Sequence, residues 1–291
     1  IALLASWIDN EAPYAEPLLK GKQRPEAISW TERTVPADAR EHWAFQPLAI
    51  ATPPSVQNAD WCQTPVDRFL LAKMESEGLT PQSAIGRRAA IRRASFAIAG
   101  LPPTPEEVEA FLGDASPDAH ARMIDRLLDS PNYGERWARH WLDLARFAES
   151  HGFEHDYDRP SAYHFRDFVI QALNDDLPYD EFVRWQLAGD EIAPDNNLAM
   201  MATGFLAAGV HSTQITANEV EKHRYDELDD MLATTGTAML GLTIGCARCH
   251  DHKFDPIPQA DHYRLLSHFT TTVRSEIERD FDAEDYRRAK S

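Results

Sequence analysis

From Thr64 onward, apolar positions recur at three- and four-residue intervals, the spacing of helices that bury one face. Over residues 133–149, Trp137, His140, Trp141, Leu144, Ala145 and Ala148 fall on one such face. Over residues 226–244, Leu228, Met231, Leu232, Thr235, Met239 and Leu242 form another, leading into Gly245 and Cys246. Gly236, Ala238 and Gly241 on this second stretch permit close approach of a neighbouring surface. Thr64-Pro65, Thr104-Pro105, Ser116-Pro117 and Ser130-Pro131 each place a hydroxyl at a helix N-cap and proline at the first helical position. Thr104 with Glu107 completes a capping box. Gly78 and Gly189 read as helix stops. Few β-branched alternating runs interrupt this pattern, so the predicted fold is mainly α.

The periodicity fails before Thr64. Residues 10–59 scatter seven prolines among charged residues and read as an extended wrapping arm, within which His42-Trp43-Ala44-Phe45 is an aromatic island expected to dock. Residues 1–15 read as the last helix of a preceding domain, 16–60 as the arm, 61–280 as the helical domain and 281–291 as a tail. With 43% hydrophobic residues in 291, the chain can bury a sizeable core. No apolar run approaches the ~20 residues of a membrane-spanning helix. The net charge of −18 argues against nucleic acid, which needs clustered cations, and suits a cationic redox partner.

The chemistry is concentrated at Cys246-Ala247-Arg248-Cys249-His250. C-x-x-C-H is the attachment signature of a c-type haem: two thiols at this spacing reach the porphyrin vinyl groups as thioethers, and the adjacent histidine falls beneath the iron. Cys246 and Cys249 are the expected thioethers and His250 the proximal ligand. His140, on the apolar stripe of 133–149, is the candidate distal ligand; its plainer role is a core histidine bonded to backbone. Met231 and Met239 are weaker candidates, since methionine at helical spacing commonly fills cores. His252 starts on the proximal side and is a candidate contact for a propionate or a neighbouring haem. Arg248 and Lys253 are further candidates for propionate pairing.

Two alternatives use the same cysteines. Cys246, Cys249 and His252 with Cys62 or His250 could hold zinc, although no second ligand pair follows. A thioredoxin-like redox pair would require a βαβ setting that the helical pattern does not offer. With two cysteines assigned to haem, Cys62 stands alone and no intrachain disulfide framework exists.

The run 241–257 resembles the hallmark of a planctomycete-type, cytochrome c-associated family, the domain of unknown function 1549. Gly100-Leu101-Pro102-Pro103-Thr104-Pro105, Tyr133-Gly134-Glu135-Arg136-Trp137-Ala138-Arg139-His140-Trp141-Leu142-Asp143 and Arg224-Tyr225-Asp226-Glu227-Leu228-Asp229-Asp230 are similar to further blocks of that family. The resemblance spans about residues 41–275 and implies a multidomain, multihaem cytochrome setting without a settled activity.

Covalent haem c implies an extracytoplasmic location, periplasmic or extracellular. The favoured function is electron transfer with other haem domains or cytochromes, in a homo-oligomer or filament. The alternative is a haem enzyme with an open distal site, peroxidase-like or oxidising a small molecule, with His140, His151 or Arg146 assisting. His151-Gly152-Phe153-Glu154-His155 with Asp156, Asp158 and Asp167 reads as a mobile or substrate-facing loop. His211, Glu219 and His223 flank another.

Overall fold

The computed structural model describes Pro36 and residues 38–277. The proposed remnant at 1–15, the first part of the arm and the tail at 281–291 lie outside the described residues. The remainder is mainly helical, and the described residues contain only two isolated β-bridges, Ser150 to Asp158 and Gly152 to His211.

The helices are α1 (Pro65–Ser76), α2 (Arg87–Ile98), α3 (Pro105–Gly113), α4 (Ala119–Leu128), α5 (Asn132–Leu144), α6 (Tyr163–Asn174), α7 (Tyr179–Ile192), α8 (Asn197–Ala202), α9 (Gly204–Ala207), α10 (Val220–Thr235) and α11 (Gln259–Leu266). The Thr104 cap forms as expected: Glu107 N–H donates to Thr104 Oγ1 at 3.2 Å, and Thr104 N–H donates to Glu107 Oε2 at 2.8 Å. The Ser116 start comes later than expected: Ala119 N–H donates to Ser116 C=O, so that Ser-Pro pair forms a turn ahead of α4. At Ser130 the hydroxyl accepts from Asn132 N–H at 3.4 Å and Pro131 has helical backbone angles, as expected of a cap and first position. Gly78, at φ +69°, ends α1 as expected.

Gly189 does not end its helix. It lies within α7 beside a kink at Ala188, and a Cβ there would sit 2.1 Å from the Ala199 carbonyl oxygen. The glycine serves close packing of α7 on α8. Gly134 plays the same part between α5 and α6, where a Cβ would lie 2.4 Å from the Ile170 carbonyl oxygen.

Helices α2, α3 and α4 enclose Ile91, Phe111, Met123 and Leu127. A larger core joins α5 to α9 around Ala138, Ala145, Phe165, Phe168, Phe182 and Phe205, with Met231 of α10 inserted into it. The face of α5 differs from the one its periodicity suggested. Ala145 is buried and Trp141 packs in the core as expected, but Gly134 and Ala138 are buried beside them, whereas Trp137, at 43% exposure, and Leu144 and His140 face outward. Small residues let α5 lie close to α6, and Trp137 is turned away from the contact while Trp141 packs against Phe182 in the core.

A third core, Leu228, Leu232, Ile244 and Leu266, joins α10 and α11 to the short 3-10 turn Ile244–Arg248. The helix expected at 226–244 begins earlier, at Val220, passes into a π-turn over Gly236–Leu240, and is stopped by Gly241 at φ +66°. A Cβ on Gly236 would lie 2.8 Å from Ile244 Cδ1, so the small residue makes room for the following turn itself.

Candidate functional site

The C-x-x-C-H sequence occupies the 3-10 turn and its exit. Ile244, at 2% exposure, belongs to the third core and Ala247 is fully buried, while Cys246, Cys249 and His250 are exposed. This alternation follows from the tight turn: the residues between the cysteines anchor it, and both thiols are presented to solvent.

The anchoring is polar as well. Arg248 Nη1 donates to Asp229 Oδ2 at 3.1 Å and Arg248 Nη2 to Asp226 Oδ1 at 2.5 Å, which spans both carboxylates on α10. That pairing, led by the bond to Asp226, raises the Arg248 pKa and, led by the bond from Arg248, lowers that of Asp226. Arg248 C=O accepts from Gln259 Nε2 at 2.9 Å and Tyr263 Oη at 3.1 Å, both from α11. His262, fully buried on α11, brings Nε2 to 3.3 Å from Asp229 Oδ1 without hydrogen-bond alignment. Arg248 is thus committed to α10.

His250 Nδ1 lies 2.7 Å from the Asp251 carbonyl oxygen. A carbonyl accepts only from N–H, so Nδ1 carries the proton and the lone pair resides on Nε2, the arrangement that suits an imidazole metal ligand. His252 is buried at 5% exposure and uses both ring nitrogens. Its Nδ1 accepts from Asp255 N–H at 2.8 Å, and Nε2 lies 2.8 Å from Thr243 Oγ1. The Asp255 carboxylate lies farther from Nδ1, at 3.4 Å; because the backbone N–H occupies the Nδ1 lone pair, the ring proton is on Nε2 and is donated to Thr243. His252 therefore braces the loop.

The remaining candidates lie apart or serve packing. His140 is exposed on α5, its ring 5.4 Å from that of Trp137, and α5 packs chiefly on α6 and α2. Met231 is core, and Met239 packs against the same core. Cys62 is half-buried beside the turn Ala59–Trp61. The aromatic island is split: Trp43 stands 81% exposed, whereas His42 and Phe45 line a cavity of about 510 Å³ together with Asp251, His252 and Phe254. Proximity of His42 to the segment after the motif had no signal in the sequence. Among the described residues, no group of three or more His, Cys, Asp or Glu side chains is arranged to hold a metal ion, and no helix is long and apolar enough to cross a membrane.

Residues 65–274 match the model of the family PSCyt2, described as protein of unknown function DUF1549. The chain belongs to this family. No curated protein and no solved structure gives a significant match.

An adjacent face of α10 carries a second polar cluster. Arg146, at φ +51°, occupies the left-handed position just after α5, where glycine is usual and another residue costs about 1–2 kcal/mol. It is held there by a two-pronged ion pair with Asp230, in which Nε donates to Oδ1 at 2.8 Å and Nη2 to Oδ2. Gly209 lies beneath this pair, where a Cβ would meet Asp230 Oδ2 and force the ion pair to shift.

The loop carrying His151, expected to be mobile or substrate-facing, is tied to its neighbours by backbone hydrogen bonds. His151 N–H donates to Tyr157 C=O at 2.9 Å, and His211 N–H donates to His151 C=O at 3.0 Å. Arg159 Nε donates to His151 Nδ1 at 3.2 Å, and His211 Nδ1 lies 2.6 Å from Glu227 Oε1. Burial first, then the neighbouring Arg159 and His211, pull the His151 pKa below its ordinary value of 6.5. Glu219 and His223 lie at the start of α10, where Glu219 accepts from Thr216 Oγ1.

Proposed function

We propose that this chain is a c-type haem carrier for electron transfer, in a multihaem, extracytoplasmic setting. The observation that carries the reading is the division of labour within one turn: Ile244, Ala247 and Arg248 are anchored, while Cys246, Cys249 and His250 are presented together at the surface. Haem c, when attached, supplies a one-electron iron couple. The chain's own residues attach and orient it. Cys246 and Cys249 form the thioethers, and His250 offers Nε2 as proximal ligand with its ring held by the Asp251 carbonyl. His140, exposed on α5, is the candidate for the opposite axial position, which it can take only if α5 and the turn come together when haem is attached.

The partners in this reading are other haem domains or cytochromes, in a homo-oligomer or filament. The net charge of −18 favours a cationic redox partner at low ionic strength. Attachment is tested by haem staining of the denatured protein after expression with a thioether-forming maturation system. Wild type is expected to stain, and Cys246→Ala with Cys249→Ala to lose the stain. Staining that survives both substitutions refutes the assignment. His140→Ala is expected to keep covalent haem and change the ligand-field spectrum; an unchanged spectrum removes His140 from the axial role.

A further inference from the structure

The cleft behind α10 holds cationic groups that the haem-carrier reading does not use. It has a volume of about 2540 Å³, and its wall includes His151, Arg159, Arg166 and Arg274 beside Phe165 and Leu206. Arg159 and Arg274 converge on one backbone oxygen: Arg159 Nη2 and Arg274 Nη2 both donate to Gly209 C=O, the latter at 3.3 Å. Arg159 Nη1 donates to Ala208 C=O at 3.0 Å and to Ala207 C=O at 3.3 Å. Arg274 Nε is buried and has no hydrogen-bond partner. Among the described residues, no carboxylate lies within ion-pair distance of either arginine.

The nearby acids are engaged elsewhere. Asp230 is held by Arg146, Glu227 by His211 and Asp167 by Arg166. Glu276 stands exposed on the rim, 3.5 Å from Ser161 Oγ. Burial, followed by the charges of Arg274 and Arg146, pulls the Arg159 pKa down to about 10. Burial also lowers that of Arg274, against the opposing pull of Glu227 and Asp230. Two guanidinium groups sharing neutral carbonyls inside a chain of net charge −18 form a local excess of positive charge with donors to spare.

We propose that the end of the cleft formed by His151, Arg159 and Arg274 is a binding site for the oxyanion group of a small acidic ligand, a carboxylate or a sulfate. Arg274 supplies the primary donors, because it lines the cleft and its guanidinium makes only one bond, from Nη2 to the Gly209 backbone; its buried Nε adds charge without a partner to neutralise it. Arg159, fixed by three carbonyls, contributes charge and a rigid wall. His151 accepts from Arg159 through Nδ1 and so carries its proton on Nε2, a further donor at this end.

Calorimetric titration of the full chain with sodium sulfate and, separately, sodium benzoate, at ionic strength held constant with sodium chloride, tests the site. Saturable binding of at least one anion is expected: sulfate alone indicates a sulfate-type group, benzoate alone a carboxylate. Arg274→Gln is expected to weaken binding about tenfold or more, as loss of a charged hydrogen-bond donor implies. Arg274→Lys should retain part of it, and Arg166→Gln, in the same cleft but ion-paired, should leave it unchanged. Thermal melts of the variants show whether each is folded. Absence of saturable binding to both anions overturns the proposal, as does equal weakening by Arg166→Gln and a folded Arg274→Gln.

Discussion

Helix α10 serves two unlike neighbours with carboxylates one residue apart. Asp226 and Asp229 face the C-x-x-C-H turn, whereas Glu227 and Asp230 face the arginine cleft, about 100° around the helix. On the first side two carboxylates share one guanidinium, Arg248, and the ion pairs lock the turn while the thiols and His250 remain outside. On the second side two carboxylates meet Arg146, His211 and Arg224, with Arg159 and Arg274 close behind, and positive charge is left over. The same short acidic segment therefore anchors a turn on one side and only partly neutralises a cationic wall on the other.

The largest effect is expected from Gly209→Ala. Its Cβ would occupy the place of the Asp230 carboxylate, so the ion pair holding Arg146 in its left-handed conformation must move. We expect a loss of about 1–2 kcal/mol in denaturant unfolding, with covalent haem attachment retained in the fraction that folds. A fully stable variant would show that the two sides are not organised as described. Replacing both Asp226 and Asp229 by alanine attacks the other side. Discounted for the 40% exposure of Arg248, the expected cost is about 1 kcal/mol, accompanied by lower haem incorporation and unchanged anion binding. Loss of anion binding with unaltered haem incorporation would invert the comparison.

The smallest effect is a pH dependence. His151 titrates below its unfolded value, so the unfolded chain binds the proton first as pH falls through about 6.5. Stability contributed by neutral His151 is present above that pH and is lost progressively below it. His151→Gln should flatten the decline of the melting temperature between neutral and mildly acidic pH. An unchanged slope would place the responsible titration elsewhere; His164, lowered by burial, would then be the next group to substitute.

The two sides differed in how far the sequence disclosed them. The turn was legible because thioether attachment fixes a spacing of contiguous residues, and the helical class followed from periodicity and from caps such as Thr104 with Glu107. The arginine cleft was hidden: Arg159 and Arg274 are brought together by backbone carbonyls at 207–209, which leave no side-chain signature. The face of α5 was misread in part, since Trp141 and Ala145 do pack in the core, because large aromatic residues outweigh small ones in a periodicity argument. Packing against α6 instead selected Gly134 and Ala138, turning His140 outward. Gly189 was misread similarly, since a glycine required for close helix approach resembles a helix stop.

The central claim is that the surface of the Ile244–Arg248 turn and its exit carries covalent haem. A pyridine haemochrome assay with oxidised and reduced absorption spectra of the purified chain, after expression with a thioether-forming maturation system, tests it most directly. We predict one c-type haem per chain with a low-spin reduced spectrum. A high-spin spectrum that shifts with cyanide would redirect the account from electron transfer to catalysis, and a chain without covalent haem whose Cys246 and Cys249 titrate as free thiols would contradict it.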